Sequence, residues 1–204
     1  MNELQHTILE AALPNIVFDG WTQRTLEQAA QAAGLTAFDV KRAFPGGVVE
    51  AMDVFAARAD VAMLTSLRAD YKLSDMKIRA RIHTAVMVRL RQQLPHREAV
   101  RRAIGYFTMP WNAADGLKIL YRTVDAIWRE AGDTSTDYNF YTKRAMLAGV
   151  YQSTVNVWLD DASDNLVETE EFLARRIENV MQIEKAKAKL KNGDWLPDFM
   201  RKGA

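Results

Sequence analysis

No run of Val, Ile and Thr in this chain alternates with polar residues over the length of a strand, whereas apolar residues recur at three- and four-residue steps almost everywhere. Residues three and four apart share one face of an α-helix, while a strand's faces repeat every second residue. The chain is therefore expected to be all-α. The spacing predicts helices near residues 3–13, 24–33, 37–43, 47–69, 75–94, 96–108, 113–131, 137–160 and 166–191. At 204 residues it is long enough to bury a substantial core. It contains no cysteine, which leaves out a disulfide framework and thiolate chemistry. No apolar run approaches the roughly 18 residues of a spanning helix, and MNELQHTILEAALP lacks the basic start and apolar run of a secretory signal. The expected location is a bacterial cytoplasm, peripherally at the inner membrane.

The most unusual stretch runs from Val124 to Trp158. Leu117, Leu120, Val124, Ile127 and Trp128 share one helical face, and Gly132 can take a left-handed conformation cheaply, so a helix is expected to stop there. Thr134, Ser135, Thr136 and Asp137 offer caps for the next helix, which carries Phe140, Leu147, Tyr151, Thr154 and Trp158 as a stripe. A helix–helix turn needs only a cap and a glycine. This one also sets Asp133, Asp137 and Asn139 against Phe140, Tyr141, Lys143 and Arg144. Aromatic and Arg side chains together anchor many protein–protein contacts, although Phe140 and Tyr141 also fit the start of a buried stripe.

Three domains are expected: a helix-turn-helix module over residues 1–55, a larger helical domain over 56–191, and a tail over 192–204. In the first, FDGWT at Phe18–Thr22, Ala33-Gly34-Leu35 and Phe44-Pro45-Gly46-Gly47 punctuate short helices in an order that resembles the N-terminal domain of TetR regulators. The electrostatics oppose DNA binding. Residues 1–70 carry Arg24, Lys41, Arg42, Arg58 and Arg68 against Glu3, Glu10, Asp19, Glu27, Asp39, Glu50, Asp53, Asp60 and Asp70, a net charge of −4. DNA affinity rests largely on neutralising phosphates, and no nucleic-acid partner is expected.

Residues 76–102 are the reverse. Lys77, Arg79, Arg81, Arg89, Arg91, Arg97, Arg101 and Arg102 stand against Glu98 alone, a net +7. Such a stretch reads either as a solvated helix face or as a surface drawn to anionic headgroups. In the tail, Trp195, Leu196, Phe199 and Met200 either fold back onto the domain or enter a membrane interface beside the preceding lysines.

Catalytic signals are sparse. His6, His83 and His96 lie far apart, and Glu3 with His6 forms the one Glu-x-x-His pair, where a di-iron bundle needs two. No nucleophile elbow, phosphate loop or dinucleotide fingerprint occurs. No enzyme activity, catalytic residue, metal or cofactor is expected. The middle helices, in contrast, are rich in large adaptable apolar side chains, Met146 and Val150 among them. Twelve form the candidate lipid site: Met87, Leu90, Phe107, Met109, Trp111, Leu117, Leu120, Val124, Trp128, Leu147, Tyr151 and Trp158. Periodicity alone also fits a packed core for these residues.

The run AGDTSTDYNFYTKRAML resembles the signature of the lipid-binding accessory proteins of ubiquinone biosynthesis, the ninth of the Coq proteins. The similarity extends from about residue 5 to about residue 183, through FDGWT, Leu94–Met109 with Pro110-Trp111-Asn112, and VDAIW at Val124–Trp128. The resemblance implies a TetR-like fold without the regulator's task, and a non-enzymatic protein binding an isoprenoid quinone precursor at the membrane. It implies presentation of that lipid to the pathway's di-iron hydroxylase, the seventh Coq protein. It carries a partner-contact patch onto Asp137, Asn139, Phe140, Tyr141 and Arg144, with Phe140 where the family commonly has Trp. TetR-like folds imply a homodimer through the last two long helices. The rival reading is a TetR-type transcriptional regulator with an apolar effector.

Overall fold

Residues 2–136 and 138–191 are described by the computed structural model, positions 138, 139 and 183–191 as backbone alone. The described residues contain helices and turns and no strand. The order is α1 (Glu3–Asp19), α2 (Gln23–Ala32), α3 (Ala37–Ala43), α4 (Gly47–Asp70), α5 (Ile78–Gln92), α6 (Arg97–Phe107), α7 (Ala113–Glu130), α8 (Tyr138–Asp160) and α9 (Val167–Lys191). Single 3₁₀ turns precede α5, α6 and α9 at Leu73–Asp75, Leu94–His96 and Asp164–Leu166.

Local chemistry accounts for most of the boundaries. Asn2 opens α1 with a capping box: its side chain accepts from the Gln5 N–H at 2.8 Å, while the Gln5 side chain accepts from the Asn2 N–H at 3.0 Å. Thr22 caps α2, and Thr36 caps α3 reciprocally with Asp39. Those hydrogen bonds from Thr36 hold the Asp39 carboxyl below the usual carboxylate range. One expectation fails. α1 continues through Pro14 to Asp19, six residues past the predicted end at 13. A proline inside a helix removes a hydrogen bond and costs about 3 kcal/mol. Here Leu13 and Ile16 are buried on either side of it, so packing outweighs the lost bond.

Two apolar cores result. The first gathers α1–α4 around Ile8, Leu9, Ile16, Trp21, Leu26, Met52 and Phe55. α6 closes it: the Trp21 indole donates to the Ala99 carbonyl at 2.9 Å across 78 residues of chain. The second core takes Met63 and Leu67 from the far half of α4, Val86 and Leu90 from α5, Ile127 from α7, Trp158 from α8 and Leu173 from α9. α4 runs through both, and Val100 of α6 packs against both.

Lys77 and Arg79 are exposed, but from Arg81 onward the basic stretch is neither a solvated face nor a free cationic surface. Its arginines mostly tie helices together. Arg97 donates to the Asp161 carbonyl at 2.7 Å, Arg101 to the Leu159 carbonyl and the Asp160 carboxylate, and Arg102 to the Val17 carbonyl. Arg91 pairs with Glu170 at 2.7 Å. Arg89 is buried, donating to Asp60 at 2.8 Å and to the Tyr151 hydroxyl at 2.6 Å. Asp60 also accepts from Thr123 and Arg122, so α4, α5 and α7 meet on one buried carboxylate, which α8 joins through Arg89 and Tyr151. Burial, followed by the neighbouring Asp60 charge, pushes the Tyr151 phenol up despite the guanidinium beside it. A satisfied buried network of this kind is costly to break by removing one member.

Candidate functional site

The corner between α7 and α8 forms as the sequence suggests. Gly132, at φ +93°, ends α7, with its N–H on the Arg129 carbonyl and the Asp133 N–H on the Trp128 carbonyl, both at 3.0 Å. Arg81 of α5 fastens the corner from below. It donates to the carbonyls of Ala131 at 2.9 Å, Met76 at 2.9 Å and Ser74 at 3.2 Å.

Asp133 is the corner's hub. One carboxylate oxygen accepts from Lys143 and from Ser135, each at 2.7 Å, and the other accepts from Arg144 at 2.9 Å. Burial would raise the Asp133 carboxyl, but the hydrogen bonds from Lys143, Ser135 and Arg144 outweigh it and hold it well below the usual range. Arg144 also donates to Asp125 at 2.7 Å and to the Phe140 carbonyl at 3.1 Å. Its guanidinium carbon lies 3.4 Å from the centre of the Phe140 ring. Phe140 in turn meets Tyr141 edge to face at 5.1 Å.

This geometry corrects part of the expected partner patch. Arg144 is 1% exposed, so a partner cannot grip it directly; it braces the corner from inside. Tyr141 is 65% exposed and stands on the surface, with Phe140 half-buried beneath it. Asp137 lies outside the described residues, as does the side chain of Asn139. So do Trp195, Leu196, Phe199 and Met200.

Against the inner side of the same corner lies an open cavity of about 840 Å³ between the start of α5, the end of α7, α8 and α9. Ile82, Met146, Leu147, Val150, Ile177 and Val180 form its apolar wall. Trp128, Asp133, Ser135 and Lys143 form its corner side, and Lys77, Ile78 and Arg79 stand at the beginning of α5. Its size falls within the roughly 300–1,000 Å³ typical of ligand pockets.

Of the twelve expected lipid residues, Trp128 and Leu147 line this cavity. Met87, Leu90, Val124 and Trp158 are packed into the second core, and Tyr151 is committed to Arg89. Leu120 is half-buried against that core. Phe107 sits under the α6–α7 turn, against the first core. Met109, Trp111 and Leu117 point outward, 44%, 77% and 64% exposed. Met109 and Trp111 lie on the exposed α6–α7 connection, and Leu117 lies on the exposed side of the first turns of α7. Ile82 on α5 with Ile177 and Val180 on α9 supply the missing wall. Their periodicity marks burial but not which buried faces fail to meet.

Asp161, at the start of the turn before α9, is structural. It accepts from the Ser163 and Thr169 backbones and hydroxyls. Burial would raise its carboxyl, but these bonds bring it down to about 2. Among the described residues no three His, Asp or Glu side chains gather as a metal site, and no helix is long and apolar enough to cross a membrane.

Comparison with known proteins agrees with this architecture. Residues 113–184, which span α7, the corner, α8 and most of α9, match the COQ9 family model. Over 187 residues, 89% of this chain, the sequence is 33% identical to the human mitochondrial ubiquinone biosynthesis protein COQ9. It is 34% identical over 185 residues to COQ9-B of Xenopus laevis and 28% over 172 residues to coq9 of Schizosaccharomyces pombe. The chain spans 58% of the human protein's length, 63% of the frog's and 68% of the yeast's. These relatives are named mitochondrial and come from eukaryotes, which overturns the expectation of a bacterial cytoplasm. A TetR transcriptional regulator from Nitrosomonas europaea shares the fold, with a TM-score of 0.69 over 87% of this chain and 97% of its own, at 20% identity. On that TetR-like fold, residues 113–184 match the COQ9 family model, and the chain is similar to COQ9 proteins over nearly all of its length.

Proposed function

We propose that this protein is a non-enzymatic accessory of ubiquinone biosynthesis that holds an isoprenoid quinone precursor in the cavity beside α8 and presents it to the pathway's di-iron hydroxylase through the Tyr141 corner. One observation carries the reading: the cavity and the exposed aromatic share a wall. Asp133, Ser135 and Lys143 face the cavity, and the same Asp133 holds the Arg144 that lies under the Phe140 ring. A ligand seated against this wall lies one side chain's depth from the surface a partner would touch. The names of the similar COQ9 proteins supply the pathway.

Energetics favours work at the membrane. Burying each CH₂ is worth about 0.8 kcal/mol, but a bilayer already supplies nearly that much. Transfer is then close to neutral, and the protein acts best while resting on the bilayer. Pairing of two copies through α8 and α9 belongs to the same proposal and is read by sedimentation.

The test is a pull-down of the hydroxylase with Tyr141→Ala, beside Arg24→Ala, an exposed residue of α2 in the N-terminal module, as a control. Loss of capture with Tyr141→Ala alone supports the patch; equal capture by both variants removes it. A TetR-type regulator, the rival, rests on the shared fold, and the net −4 of residues 1–70 argues against it.

A further inference from the structure

The cavity is polar where it meets the α7–α8 corner and apolar along α8. Its corner end is built on Trp128 and Lys143. The Trp128 indole donates to the Lys143 carbonyl at 3.0 Å, so its N–H is spent on the backbone and its ring is left as a fixed, half-buried aromatic surface. The Lys143 ammonium stands 5.6 Å from the centre of that ring. A Lys ammonium has three N–H donors. Lys143 gives one to Asp133 at 2.7 Å and one to Ser135 at 2.6 Å, and no third oxygen accepts from it among the described residues. Asp133 offsets its charge, so what remains is a hydrogen-bond donor rather than a free cation. From Lys143 the wall runs along one face of α8 through Leu147 to Val150, two turns or about 10 Å, and Ile82 of α5 and Ile177 of α9 complete it.

We infer that the cavity holds its ligand in one direction, with an oxygen-bearing ring against Trp128 and Lys143 and the chain along Leu147 and Val150, and that Lys143 is the residue that tells such a ring from a plain hydrocarbon. The inference rests on the cavity being the lipid site proposed above, and it sets the ring, rather than the chain, beside the corner that carries Tyr141. Two effects fix the direction. A carbonyl or methoxy oxygen of the ring accepts a charge-assisted hydrogen bond from Lys143 while the ring packs against the indole. In the reverse direction the chain covers that donor and leaves it without a partner, which costs binding energy. The polar residues at the beginning of α5, Lys77 and Arg79, are exposed, and a hydrogen bond there competes with water more than one made in the half-buried corner.

The test compares decyl-ubiquinone with decylbenzene, which share a decyl chain on a single ring, the second without ring oxygens. The two differ in how readily they leave water, and comparing their affinity ratio across variants of the whole chain cancels that difference. Lys143→Met keeps the apolar stem and removes the donors, and it is expected to weaken decyl-ubiquinone relative to decylbenzene by about tenfold, the scale of one hydrogen bond to a charged group. Lys143→Arg keeps a charged donor and should hold the ratio within about threefold of wild type. A corner that loses stability lowers both affinities and leaves the ratio unchanged. Val150→Trp, which fills the apolar end, should weaken both compounds together. Direction is read from tryptophan emission, which a quinone ring quenches at close range. Decyl-ubiquinone should quench saturably in wild type and in Trp111→Phe, on the exposed α6–α7 connection, and Trp128→Phe should lose most of that quenching. A ratio unchanged in Lys143→Met, or lost equally in Lys143→Arg, overturns the role given to Lys143 and leaves the lipid cavity standing. Saturable quenching that survives Trp128→Phe in full overturns the direction. If neither compound binds wild type, the lipid cavity itself is refuted and this inference falls with it.

Discussion

Replacing Arg144 with Ala removes the side chain that ties α8 to the end of α7. Arg144 is 1% exposed and its partners Asp133 and Asp125 have side chains 3% and 19% exposed. Taking one member out of such a buried pair strands the other charge and costs about 3–5 kcal/mol. Lys143 and Ser135 remain on Asp133, which places the cost near the lower end. For a chain of this size each kcal/mol lowers the melting temperature by about 2–4 °C, so a loss of about 3 kcal/mol predicts a drop of roughly 6–12 °C.

The pH dependence gives an independent check. The folded Asp133 carboxyl is depressed below its ordinary 3.8, so its contribution is present above that value and is lost as pH falls through the folded value. Without Arg144 the carboxyl moves back toward 3.8 and contributes less. Wild type and variant should therefore differ most near neutral pH and converge in acid. The gap should hold from neutral pH down to about the ordinary 3.8 and narrow only below it, so thermal melts by circular dichroism from about pH 7 down to about pH 2 read both effects. A drop below about 2 °C at neutral pH, or a gap that stays constant into acid, would refute the idea that Arg144 braces the corner from inside.

Other substitutions test other parts of the account. A Cβ built on Gly116 comes within 2.7 Å of the Phe107 Cβ, so Gly116→Ala should destabilise by about 1–3 kcal/mol through overpacking of the α6–α7 turn, measured by urea denaturation. Asp161→Ala removes the cap of α9 and should cost about 2 kcal/mol at neutral pH. Because the folded Asp161 carboxyl lies at about 2, that difference should fade as the pH falls from about 4 toward 2. The acidic N-terminal module should give no salt-sensitive retardation of DNA, and Lys41→Ala, Arg42→Ala should change nothing in that assay.

Much of the architecture was legible in the sequence because helices announce themselves by spacing and ends by chemistry. Thr22, Thr36 and Gly132 stop or start helices where their residue types require it. Pro14 misleads because local propensity lost to the packing of Leu13 and Ile16, a contest decided by distant residues. The arginines of α5 and α6 mislead differently. Charge counted along a chain cannot show that a guanidinium will find the Asp161 or Leu159 carbonyl some 60 residues away. Arg144 was rightly placed among aromatics and acids but on the wrong side of them. The cavity was least legible, since it exists where α5, α8 and α9 fail to close. Met146 and Val150 belong to the expected apolar middle and do line it, while Trp111 and Leu117, equally apolar, face outward.

The central claim is that the hollow between α5, α8 and α9 holds lipid. Native mass spectrometry of the purified protein, followed by extraction and identification of what dissociates, measures this directly. The account predicts a bound lipid, isoprenoid or phospholipid, in wild type and its loss from Val150→Trp with the fold intact. A wild-type protein that flies without ligand and takes up none from vesicles would contradict it, as would a lipid that Val150→Trp retains in full.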